Sequence, residues 1–149
     1  MELKDIVCSL EYAKNLEELG IKQDSLFYHC KEKGFGSPFN VIKDRNIASQ
    51  GYNQHMSIHK IASAFTSDEL GRMLPKEIKI ENICYYLEIA MGNTNNSKWL
   101  IMYNASYENR SKQLYYTKEK KEADARAKML IHLIKNNLIK VSNINEKIK

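Results

Sequence analysis

Ile83-Cys-Tyr-Tyr-Leu-Glu-Ile-Ala-Met91, Lys98-Trp-Leu-Ile-Met-Tyr-Asn104 and Lys112-Gln-Leu-Tyr-Tyr-Thr117 are rich in β-branched and aromatic residues. Their composition and alternation are those of strands. Residues 92–97, made of Gly, Asn, Thr and Ser, and residues 104–109 separate them as turns. Such short connections predict an antiparallel meander. In the first strand Tyr85, Leu87, Ile89 and Met91 share a face. In the middle strand Trp99, Ile101 and Tyr103 point one way and Leu100 and Met102 the other; in the third, Leu114 and Tyr116 oppose Tyr115. A middle strand apolar on both faces predicts cover on both sides. The expected fold class is α+β, an antiparallel sheet of about three to five strands with helices packed on one or both faces.

The helical segments carry a 3.6-residue period. Residues 119–136 place Ala123, Ala127, Leu130, Ile134 and Leu138 on one stripe, and Lys120, Lys121, Asp124, Lys128 and Lys135 on the polar side. Thr66-Ser-Asp-Glu69 is a capping box, with Phe65 and Leu70 placed as a hydrophobic staple. That helix must stop at or before Pro75. Residues 9–20 form a further helix, with Leu10, Ala13, Leu16 and Leu19 as its stripe and Ser9 at the N-cap. Gly20 stands where a left-handed C-cap is needed. Residues 25–32, with Leu26, Phe27 and Tyr28, read as a strand, and 39–42 as another. Residues 44–53 look like loop, and 35–64 as a whole carry too weak a pattern to assign. The polar stretch 140–149 reads as a mobile tail.

The chain has 149 residues, which predicts one domain. A chain of this size can bury roughly 70% of its unfolded surface. Apolar runs such as 129–131 are far too short to cross a bilayer. The first residues include acids and lack an apolar stretch, unlike a secretory signal, so a cytoplasmic protein with no membrane partner is expected. The net charge of +5 rests on 19 Lys against 4 Arg, beside 14 Asn and 16 Ile. Lys, Asn and Ile all have A/T-rich codons, which weakens any functional reading of the basic pI. The charge is segregated: residues 1–24 hold 3 basic and 6 acidic residues, and residues 109–149 hold 11 basic and 4 acidic. A basic last quarter can attract an anionic partner.

Catalytic constellations are sparse. Cys8, Cys30 and Cys84 are odd in number and lack CxxC spacing, which argues against a disulfide framework or a Cys-rich zinc site. His55 and His59 stand four apart, but no third zinc ligand lies near them in sequence. His29 and Cys30 are neighbours on a strand and therefore point to opposite faces. Glu17/Glu18 and Asp68/Glu69 sit at helix surfaces or caps, where nothing raises a carboxyl pKa for acid–base work. Gly34-Phe-Gly36 lacks a third glycine and reads as a turn. No catalytic residue, metal or cofactor is expected.

Four stretches together resemble a family of small phage and prophage proteins of gut bacteria. They are Val7-Cys-Ser-Leu-Glu-Tyr-Ala-Lys14, Leu19-Gly-Ile-Lys-Gln-Asp-Ser-Leu-Phe-Tyr28, Ala64-Phe-Thr-Ser-Asp-Glu-Leu-Gly-Arg-Met-Leu-Pro75 and Glu122-Ala-Asp-Ala-Arg-Ala-Lys-Met-Leu-Ile-His-Leu133. They span roughly a third of the chain, in order; residues 34–63 match nothing in the family. The last stretch is also similar to the closing helix of phage ABA-sandwich domains, in which helices cover both faces of a sheet. The resemblance implies a phage origin and a fold class, and it carries no reaction.

The candidate site is an aromatic and basic group around one hairpin: Tyr103, Tyr107, Arg110, Lys112, Tyr115 and Tyr116. Tyrosines stack on bases and cations meet phosphates, and the same residue types anchor protein interfaces. Alternating tyrosines also simply fill the faces of a sheet. The expected function is that of a non-enzymatic phage accessory protein acting by binding. It would counter a host defence through a host protein or a sequestered small nucleotide ligand. A nucleic-acid-binding protein using residues 109–149 is the alternative, and a small enzyme the third.

Overall fold

The structure, a computed structural model, describes residues 2–32, 39–43, 58–92, 98–107 and 110–148, with the side chains of 32, 39, 40, 42, 43, 58, 59, 106, 107 and 110 left aside. Its helices are α1 (Leu3–Ile6), α2 (Leu10–Glu18), α3 (Ser67–Met73), α4 (Glu122–Lys135) and α5 (Val141–Asn145). Its strands are β1 (Phe27–Glu32), β2 (Phe39–Lys43), β3 (Ile58–Ser63), β4 (Glu77–Ile80), β5 (Ile83–Met91), β6 (Trp99–Tyr107) and β7 (Arg110–Glu119). The fold is α+β with two antiparallel sheets, one ordered β2-β1-β3 and the other β4-β5-β6-β7.

The meander is present and longer than the sequence suggests. β6 and β7 pair from Trp99↔Glu119 to Tyr107↔Arg110, so most of 104–109, expected as a turn, is strand. A register shift after Tyr103 leaves Leu114 as the extra residue of a bulge. The short strand β4 was not evident from the sequence; its four residues pair with Ile83–Tyr86, and the positive φ of Glu81 makes its tight turn.

Helix α4 is the hub. Eight of its residues are buried: Ala123, Ala125, Ala127, Met129, Leu130, Ile131, Leu133 and Ile134. No single stripe accounts for these, because α4 packs on β6 and β7 and also against α2 and α3. Thr117 Oγ1 donates to Ala125 O at 3.0 Å in the interior, fixing α4 over the face that carries Ile101 and Tyr103. The other face of β5–β7 is open, with Tyr86 and Tyr116 53% and 55% exposed. Among the described residues no helix therefore supplies the expected cover on the second side of β6: Leu100 and Met102 are half-buried, shielded by cross-strand neighbours.

Local signals hold up where side chains act on their own backbone. Thr66 and Glu69 form the reciprocal capping box, and Phe65 and Leu70 are fully buried as the staple. Gly20 adopts φ +86°, and its N–H donates to Glu17 O, ending α2. The stretch read as a mobile tail is instead folded back. Ile144 and Ile148 are buried in the main core. Asn145 accepts from Lys22 N at 2.8 Å and donates to Gly20 O at 2.9 Å.

The smaller sheet is joined to this body through the N-terminal segment. Val7 bridges Thr66, and Val7, Phe27 and Ala64 form a second buried cluster. Side chains at the start of α4 hold the same segment. Asp124 Oδ1 accepts from Ser9 N at 2.6 Å, and Lys121 Nζ donates to Val7 O at 2.9 Å. Tyr12 OH donates to Glu119 Oε1 at 3.0 Å, and Lys128 Nζ meets the same oxygen at 2.6 Å.

Candidate functional site

The six residues of the aromatic and basic group share one hairpin but not one surface. Tyr103 is fully buried, and its OH donates to Pro75 O at 2.6 Å. Burial pushes its phenol well above the usual tyrosine range. Tyr115 pairs with Tyr103 across the ladder and is half-buried. Its ring stacks parallel on His132 of α4, with centroids 3.3 Å apart. Tyr116, next in sequence, points to the open face, and Lys112 is exposed opposite Ala105. Tyr107 and Arg110 pair in the backbone register at the hairpin tip, and their side chains lie outside the described ones. The period of two therefore divides the tyrosines: Tyr103 and Tyr115 serve the core, and Tyr116 is presented to solvent.

Around Tyr116 the open face has its own order. Met102 lies across from Tyr116 on one side and Glu88 on the other, and Asn104 lies between Tyr86 and Gln113. Asn104 Nδ2 donates to Glu88 Oε2 at 2.8 Å, and Gln113 Nε2 donates to Asn104 Oδ1 at 3.4 Å. Leu100, between Ala90 and Lys118, extends the apolar part. The result is a pleated surface with two exposed tyrosine rings, a half-buried Met and Leu, and a fixed row of amide groups. One Glu and one Lys balance its charge. Tyr86, Leu100 and Met102 were absent from the sequence-derived group, although the two-faced pattern of β6 was the signal for them.

Among the described residues, Cys8, Cys30 and His29 are buried. Burial pushes the Cys8 thiol up to about 12, and burial also raises that of Cys30, so both stay protonated at neutral pH. His29 Nε2 lies 2.9 Å from Cys8 O, and burial holds its pKa below the ordinary value. Burial lowers that of His132 too. Glu69 is committed to its cap, accepting from Thr66 N at 2.7 Å and Leu26 N at 3.2 Å. Asp68 pairs with Arg72 on the surface. His59 belongs to a strand, and His55 lies outside the described residues. Among the described residues no three His, Cys, Asp or Glu side chains gather to hold a metal ion.

The basic last quarter is partly neutralised from within. Lys121 lies 3.4 Å from Asp124, Arg126 2.5 Å from Glu122, and Lys128 2.6 Å from Glu119. Its remaining described cations are spread out: Arg110, Lys112 and Lys118 in β7, Lys120 just before α4, Lys135 in α4, and Lys140 and Lys147 on either side of α5. No helix among the described residues is long and apolar enough to cross a membrane.

Fold and surface together define an α+β protein of two antiparallel sheets with one open sheet face. Comparisons with protein-family models, with curated proteins and with solved structures return no match to this chain.

Proposed function

We propose that the chain is a phage accessory protein that acts in the host cytoplasm by binding a host protein, without catalysis. The observation that carries this reading is the open face of β5–β7. There Tyr86 and Tyr116 are each more than half exposed, and Tyr116 stands directly across from Met102. Exposed tyrosines beside a half-exposed methionine are the residue types that anchor protein interfaces. A nearly neutral face favours a protein over a polyanion, whose affinity rests on phosphate neutralisation. Internal pairing of Lys121 and Lys128 weakens the nucleic-acid alternative further. Origin in a phage rests on the resemblance of four stretches to phage proteins.

The test compares the wild type with Tyr116→Ala and Tyr86→Ala. A host protein captured from lysate is identified, purified and titrated by calorimetry. Both substitutions should weaken binding at least about tenfold, as loss of an interface anchor does, with melting temperatures unchanged. Equal affinity in all three proteins would refute the reading. A salt-sensitive gel shift on DNA or RNA would replace it with the nucleic-acid reading.

A further inference from the structure

A second feature lies on different residues and stands independently of the sheet face. Between α3, α4 and the chain after α5 is an open hollow of about 540 Å³, within the size range of small-ligand sites. Four cations line it, Arg72, Lys76, Arg126 and Lys147, against the acid Asp68 in the lining and a second, Glu122, bonded to Arg126. Its apolar floor includes the buried Leu74.

The cations are not equivalent. Arg126 is a largely buried guanidinium, 15% exposed. Its Nε and Nη2 both donate to Glu122 Oε1, at 2.9 and 2.5 Å. Nη1 has no acceptor among the described residues. It lies against Gly71, where any Cβ would collide with it. Gly71 thus makes the room in which the guanidinium sits, and it lines the same hollow. An arginine has five donors, and Nη1 is not sealed from solvent, since Ser63 Oγ is the buried side-chain polar atom left without a partner among the described residues; Nη1 is thus open to an acceptor arriving in the hollow. Lys76 and Lys147 add two ammonium groups with no ion-pair partner among the described residues. Arg72 is tied to Asp68, but that pair is about 70% exposed on both sides and therefore exchanges easily.

We propose that this hollow binds the phosphate group of a small phosphorylated ligand. Arg126 Nη1 is the fixed donor, and Lys76 and Lys147 supply the neutralising charge. A phosphate matches an arginine's planar fork and takes ammonium groups at its remaining oxygens. An acidic peptide fits less well, because the cations converge on one hollow instead of following an extended track.

The experiment is a calorimetric titration of the full chain at low salt with inorganic phosphate, adenosine 5′-monophosphate and adenosine. Saturable binding of phosphate and the monophosphate, with none of adenosine, is expected. Tighter binding of the monophosphate than of phosphate identifies a nucleotide-like ligand; equal binding identifies the phosphate group alone. The double variant Lys76→Ala/Lys147→Ala should bind about tenfold more weakly or worse with an unchanged melting temperature. Gly71→Ala, which displaces the guanidinium, should weaken binding in the same direction. No saturation by either phosphate compound up to about 10 mM, beyond the range of weak specific binding, would overturn the proposal. Affinity unchanged in the double variant would do so too.

Discussion

Asp124 is the side chain whose removal should reveal most about how the fold closes. Its Oδ1 accepts from Ser9 N at 2.6 Å, and its Oδ2 lies 3.4 Å from Lys121 Nζ. The carboxylate is 13% exposed and sits in the first turn of α4, where the helix dipole favours a negative charge. In Asp124→Ala the partly buried Ser9 N–H loses its acceptor, at a cost of about 1–3 kcal/mol. The lost dipole contact adds about 0.3–1 kcal/mol. Lys121 keeps its bonds to Val7 O and Lys4 O and so is not stranded. A central value of about 3 kcal/mol corresponds to a fall in Tm of about 6–12 °C at this chain length. Asp124→Asn keeps a neutral acceptor for Ser9 N and should lose less than half as much. Calorimetry and urea unfolding at neutral pH measure both variants. An alanine variant melting within about 1 °C of the wild type would refute the reasoning, since that is below the shift from a single lost hydrogen bond. An asparagine variant as damaged as the alanine one would shift the credit from the hydrogen bond to the charge.

Tyr103→Phe leaves Pro75 O without its donor and should cost about 1–2 kcal/mol in urea unfolding, with no change at the open face; an unchanged urea midpoint would refute the role given to that bond. Thr66→Ala breaks the capping box and should cost about 0.5–2 kcal/mol, whereas Thr66→Ser, which keeps the hydroxyl, should restore most of it. Burial alone would raise the pKa of Glu119, but hydrogen bonds from Lys128 and Tyr12 outweigh it and hold the carboxyl below its ordinary value. A carboxyl depressed in the folded state adds stability above the unfolded pKa of about 4.3 and loses it as pH falls through the folded value. Glu119→Gln should therefore flatten the acid limb of the stability profile, and limbs of equal slope would count against it.

Features written in neighbouring residues were legible: the Thr66/Glu69 box, the Gly20 cap, the Pro75 stop and the three strands of the meander. Each depends on a side chain meeting backbone or staple partners a few positions away. Features that depend on distant partners were not. Leu100 and Met102 looked like a face in need of a helix, because alternation reports apolar character but not how far cross-strand neighbours can shield it. Residues 140–149 looked like a tail, although Ile144 and Ile148 stand four apart and both reach the core. Tyr103, Tyr115 and Tyr116 looked like one group because sequence proximity hides which tyrosines α4 covers. The basic hollow draws on α3, the approach to β4, α4 and the end of α5, a convergence that no local pattern announces. Gly71 was its one local trace, a glycine inside a helix that a packing need accounts for.

The grip of α4 and α5 on the first segment also orders events during protein synthesis. Ser9 and Asp124 are 115 residues apart, and Lys22 and Asn145 are 123 apart. At translation rates of about 5–20 residues per second, the partners of Ser9 emerge about 6–23 s after it does. Throughout that interval Ala13 and Leu16, fully buried at the end, have no α4 to cover them. The nascent chain therefore displays an uncovered amphipathic helix for nearly the whole of its elongation, a natural client for ribosome-associated chaperones. A circular permutant that places α4 ahead of α2 would shorten that exposure.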